Sequence, residues 1–136
     1  MNAPDRIDSY VLADGEKKMV YANDEKIPNA GTFTIAKETH TVGNLLQMQV
    51  LRNNQVKYCG YKMPHPLQNS MLVKVQTTTS KATPVAVVGA ALAELQSECE
   101  VLDRSFRDAV SEKKDALARE ERERAAARRA QGPAMY

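Results

Sequence analysis

Apolar positions change period three times along this chain, and the changes mark out its elements. Residues 18–22, 32–36, 56–63 and 70–79 are short runs with alternation or β-branched enrichment, set off by turn signals at Asp14-Gly15, Asn23-Asp24 and Pro28 to Gly31; each is predicted as a strand. Phe33 and Ile35 are expected on one buried face, Leu72, Val73 and Val75 among the apolar positions of the last strand, and a shorter apolar alternation surrounds Ile7, Tyr10 and Leu12. Residues 41–52 switch to helical spacing, with Thr39 or Thr41 able to cap the start and Glu38 near the positive end of the macrodipole. On a helical wheel Val42, Leu45, Leu46, Met48, Val50 and Leu51 cover well over half the circumference, whereas a surface helix needs a stripe of only about 100°. This helix is therefore expected to be buried on two sides, the second by a partner. Gly43 within it costs about 1 kcal/mol relative to alanine, and close approach of another backbone is the simplest expected reason.

A second helix is predicted from Thr83-Pro84, an N-cap residue followed by proline where a missing N–H costs nothing. Its apolar residues Val85, Val88, Leu92, Leu95, Cys99, Leu102, Phe106 and Ala109 alternate in spacing between three and four, the seam of a helix packed on a helix. Residues 83–110 as helix span about 42 Å, but four strands make a sheet only about 19 Å wide. Roughly half of the seam would hang beyond that sheet and is expected to meet a partner. Beyond Val110 the seam gives way to a charged, Ala-rich stretch with Glu120 four residues before Arg124, ended by Gly132-Pro133. Two regions are expected: a folded domain over 1–110 and a helical or disordered extension over 111–136.

Charge changes the picture when it is divided. Residues 1–110 carry twelve Lys/Arg and twelve Asp/Glu, and residues 111–136 carry seven and five, so the excess lies in the tail. A neutral body without Trp, whose Tyr residues are not interleaved with basic ones, argues against direct nucleic-acid binding. With no apolar run of about 18 residues and no secretory pattern, a soluble intracellular protein is expected. Cys59 and Cys99 lie inside patterned segments and are expected to be free, small core residues.

Residues 38–67 hold both histidines and one cysteine, which raises two chemical readings. Cys59 as nucleophile, His40 or His65 as base and Glu38 as orienter would make a catalytic set, but nothing supplies an oxyanion hole. Zinc held by His40, Cys59, His65 and Cys99 would need the paired short loops that are missing here. Structural roles are expected for all four, with no catalytic residue, metal or cofactor. Gly60 marks a bend or close approach, and Pro64 and Pro66 make a rigid connector with His65 locked between them.

The runs HTVGNL at 40–45 and GYKMPHPL at 60–67, with DGEKK at 14–18 and MNAP at 1–4, closely resemble the alpha-like small subunits of RNA polymerase, in the eleventh-subunit family of eukaryotic polymerase II. This family is related to archaeal subunit L and the bacterial alpha N-terminal domain. The resemblance covers the chain to about Val110. It implies an α+β fold, a four-stranded antiparallel sheet with two helices on one face and a long C-terminal helix. It also implies a non-catalytic nuclear subunit that heterodimerises with the third, alpha-like subunit to form the assembly platform for the two largest subunits, meeting DNA only through the complex. The small subunit shared by polymerases I and III is the alternative; Lys62, Leu67 and the N-terminal start favour polymerase II. Val42 in place of leucine, Cys59 in place of alanine, and residues 77–82 depart from the family pattern. The expected partner interface comprises Val42, Gly43, Leu45, Leu46, Val50, Val88, Leu92, Leu95, Cys99, Leu102 and Phe106, supported by a structural motif of His40, Thr41, Asn44, Gly60, Tyr61, Pro64, His65 and Pro66.

Overall fold

A computed structural model describes residues 5–130. The MNAP run and Gly132-Pro133 lie outside the described residues. The elements are a 3-10 turn at Arg6–Ser9, strands β1 (Met19–Asn23) and β2 (Ala30–Ala36), helix α1 (His40–Leu51), strands β3 (Val56–Lys62) and β4 (Ser70–Thr77), and helix α2 (Pro84–Ala130). The four strands form one antiparallel sheet in the order β1-β2-β4-β3. The apolar alternation around Ile7 is thus no strand: Asp5 accepts the Ile7 N–H through its side chain and starts the 3-10 turn instead. At Asp14-Gly15 the expected turn forms, with Gly15 at φ 81° and the Glu16 N–H donating to the Ala13 carbonyl.

Alternation sorts the sheet into two faces. Phe33 and Ile35 of β2, Met71, Val73 and Val75 of β4 and Cys59 of β3 point to one side and are buried there. Leu72 falls on the opposite face of β4, between Met71 and Val73, and is only half-buried. Over the buried face lie Leu46 and Val50 of α1 and Val87, Val88 and Ala91 of α2, closing a single core. Gln49 is buried among these apolar groups, but its amide is satisfied: it donates to Glu94 Oε2 at 2.7 Å and accepts from Arg52 Nη1 at 2.8 Å.

Gly43 owes its place to two side chains, not to the backbone approach that the sequence suggested. A Cβ there would stand 2.6 Å from the Tyr61 ring and 2.7 Å from Met71 Sδ, so the missing side chain lets α1 sit down on β3 and β4. Helix α1 begins at His40 with Thr39 at the N-cap position, although no side-chain cap bond forms there. Helix α2 is capped as its sequence predicts, the Ala86 N–H donating to Thr83 Oγ1 at 3.2 Å. It continues to Ala130, well past the point where the apolar seam gives out. Residues up to Leu95 form one compact unit and the helix from Gln96 onward a second.

Candidate partner interface

Both helices carry apolar side chains that the chain's own core leaves uncovered. On α1, Val42, Leu46 and Val50 turn inward, whereas Leu45, Met48 and Leu51 are exposed, Leu45 by 54% and Met48 by 59%. These three recur every third residue and make a second apolar stripe on the other side of the helix. On α2 the core takes Val87, Val88 and Ala91, and the adjoining stripe of Val85 and Leu92 stays exposed. Further along, in the unit that begins at Gln96, Val101, Leu102, Phe106 and Leu117 are exposed, Leu102 by 71% and Phe106 by 67%.

By exposure the expected interface residues fall into two groups. Gly43, Leu46, Val50 and Val88 are buried within the chain itself, and Val42 packs against the same core. Leu45, Leu92, Cys99, Leu102 and Phe106 are exposed and Leu95 is half-buried. Cys99 is thereby no core residue, unlike Cys59, because it falls on the uncovered stripe of α2. Met48, Leu51, Val85 and Val101 belong to the exposed set as well. Wheel positions of Met48 and Leu51 opposite Leu46 and Val50 carry the signal for the first two, and Val85 stands in the seam itself.

The motif residues hold the frame on which the stripes sit. His40, the first residue of α1, shares a 3.1 Å hydrogen bond between its Nδ1 and the Tyr61 hydroxyl, with the two rings edge to face at 5.7 Å. Tyr61 in turn packs against the core and fills the space above Gly43. Thr41 and Asn44 are exposed on α1. Gly60 lies beneath the Tyr58 phenol, which a Cβ would strike. Pro64, His65 and Pro66 are exposed, and His65 Nδ1 accepts the Leu67 N–H at 3.1 Å, which pins the connector into a local turn.

The cysteine, histidine and carboxylate groups singled out by the sequence are held within the fold as follows. Burial pushes the Cys59 thiol up to about 11, so it is protonated and unreactive at neutral pH. His40 and His65 are each engaged in the local hydrogen bonds just described. Among the described residues, no three His, Cys, Asp or Glu side chains gather as a metal ion would require. Asp24 is held below the ordinary carboxylate value by its hydrogen bond from Lys74 and by backbone N–H groups of Lys26 and Ile27, a structural tie at the end of β1.

Comparison with known proteins agrees with the geometry. Residues 30–105 match the family described as the RNA polymerase Rpb3/Rpb11 dimerisation domain. The chain is 42% identical over 115 residues to DNA-directed RNA polymerase II subunit rpb11 of Dictyostelium discoideum, covering 85% of this chain and 95% of that one. It is 40% identical over 91 residues to DNA-directed RNA polymerase II subunit RPB11 of Schizosaccharomyces pombe, covering 67% of this chain and 73% of the relative. The crystal structure of DNA-directed RNA polymerase subunit L from Thermoplasma acidophilum shares the fold, with a TM-score of 0.55 at 20% identity over 68% of this chain and 89% of that chain. The four-stranded sheet, the two helices laid on one of its faces and these matches together make the chain a member of the RNA polymerase Rpb3/Rpb11 dimerisation domain family.

Proposed function

We propose that this chain is a non-catalytic subunit of nuclear RNA polymerase II that pairs with the third, alpha-like subunit and so forms the platform on which the two largest subunits assemble. One observation carries the reading: a member of a dimerisation family leaves Leu45, Met48 and Leu51 of α1 and Val85, Leu92, Leu102 and Phe106 of α2 exposed. Fully burying a large apolar side chain contributes about 1.5 to 3 kcal/mol, and these are roughly half-exposed, so each has about 1 kcal/mol left to give. Seven of them supply about 7 kcal/mol gross, and the further surface of a homologous partner must cover the rest of the cost of association. The polymerase II names of the relatives support the choice of enzyme. Buried Cys59 and the locally bonded histidines support a role without chemistry of its own.

The test is recovery of the tagged chain from nuclei, followed by identification of what comes with it. An alpha-like subunit in equal amount, together with the two largest polymerase II subunits, is the expected result. A wild-type chain that proved by light scattering to be a stable, non-associating monomer, and that came down alone, would sink the proposal.

A further inference from the structure

The two edges of the sheet are treated differently. On β3 the ladder to β4 turns the backbone groups of Cys59 and Tyr61 outward, and this edge is managed: its register shifts between Val56 and Tyr58, and Gln47 of α1 donates to the Cys59 carbonyl at 3.3 Å. On β1 the Ala36 N–H bonds the Lys18 carbonyl and the Asp24 N–H bonds the Ala30 carbonyl, which fixes the parity of the ladder. Val20 and Ala22 therefore face β2, and the N–H and C=O groups of Met19, Tyr21 and Asn23 face outward. No described residue bonds to them, the register is unbroken over all five residues, and no proline or bulge interrupts the strand. An open edge of this kind is a template for another strand.

The charges around it say which strand. Residues 17–25 read KKMVYANDE, basic at the start and acidic at the end. When two such segments lie antiparallel about Tyr21, Met19 pairs with Asn23 of the other copy, and just beyond the strand ends the basic pair Lys17-Lys18 of one copy comes near the acidic pair Asp24-Glu25 of the other. Both ends are then complementary at once. In the chain itself Lys18 is paired with Glu38 and Asp24 with Lys74, but Lys17 and Glu25 are exposed and hold no ion pair among the described residues. The dyad falls on Tyr21, an outward-facing backbone position, so its N–H and C=O can be exchanged with the same groups of the second copy. Like charges would oppose each other at both ends in a parallel alignment.

The geometry points to self-association of this chain through an antiparallel β1–β1 pairing centred on Tyr21. It is a small, concentration-dependent contact, since five residues bury much less than the roughly 800 Å² per partner of a standard interface. It is independent of the apolar stripes on the helices, which no charge at residues 17 or 25 touches.

Residue-resolved amide exchange on the full-length chain, over a range of concentrations, tests it. Protection of Met19, Tyr21 and Asn23 is expected to rise with concentration while that of Val20 and Ala22 stays constant. Sedimentation of Lys17→Glu, Glu25→Lys and the double swap is the second arm. Each single swap sets like charges against each other at both ends and is expected to weaken association about tenfold, and the double swap to restore it. Association through the helices alone would leave all four proteins alike and β1 exchange independent of concentration, which overturns the proposal. A double swap as weak as the singles also overturns it, because then the strand that β1 accepts is not its own copy.

Discussion

Leu102→Glu separates pairing from folding more cleanly than any other change in this chain. Leu102 is 71% exposed, so the chain alone loses almost no packing on its replacement, and its stability is expected to change by about 0.5 kcal/mol or less. In the pair the same side chain would be covered. The lost transfer of its exposed part is worth about 1 to 2 kcal/mol, and a carboxylate desolvated without a partner adds several more. A total of at least about 4 kcal/mol corresponds to roughly a thousandfold loss of affinity. Thermal melting of the variant and titration calorimetry against the alpha-like partner subunit read the two effects separately. An unchanged melt with pairing within about threefold of wild type would refute the assignment of α2 as the docking surface. Val88→Glu is the contrast, because Val88 is 2% exposed and its replacement is expected to unfold the chain before any question of pairing arises.

Further outcomes follow from the interior. Gly43→Ala is expected to destabilise by about 1 kcal/mol in thermal melts despite the better helix propensity, because the new methyl strikes the Tyr61 ring and Met71 Sδ. Gly89→Ala, also within a helix but with nothing near its Cβ, is expected to stabilise by about 1 kcal/mol instead. Thiol labelling of the native chain at pH 8 is expected to modify exposed Cys99 rapidly and to spare buried Cys59, with both reacting once the chain is denatured. Because the folded pKa of Cys59, about 11, lies above the ordinary 9.0, the unfolded chain releases its proton first; stability is whole below pH 9 and falls by about 3 kcal/mol as pH rises through 11, a loss that Cys59→Ala abolishes in pH-dependent denaturant titrations. Asp24 works in the opposite sense. Its lowered pKa stabilises above about pH 4 and the contribution is lost as pH falls below it, and Lys74→Met is expected to flatten that part of the acid titration.

The elements themselves were legible from the sequence, because alternation and helical spacing are local. Phe33 and Ile35 fell on the buried face as expected, and Thr83 caps α2. What escaped is which side of an apolar helix the chain keeps for itself. A seam of threes and fours treats Val88 and Leu92 alike, yet the core takes Val87, Val88 and Ala91, a stripe turned a fraction of a revolution away, and leaves Val85, Leu92 and Cys99 outside. That rotation is set by where the sheet lies, which only the fold supplies. The same holds for α1, where the wide apolar arc announced two covered sides without saying which residues serve which. Gly43 advertised a close approach, but Tyr61 and Met71 as its neighbours are separated from it by at least eighteen residues of sequence and appear only when β3 and β4 pair. At the start of the chain, Asp5 capped a 3-10 turn where a local apolar alternation had no sheet to join.

Hydroxyl-radical footprinting of the free chain and of the polymerase II complex recovered from nuclei tests the central claim most directly. Leu45, Met48, Leu102 and Phe106 should all be labelled in the free chain and protected in the complex, while Leu46 and Val50 stay unlabelled in both. Full labelling of those four side chains in the assembled complex would contradict the claim that the exposed stripes of α1 and α2 are where the partner sits.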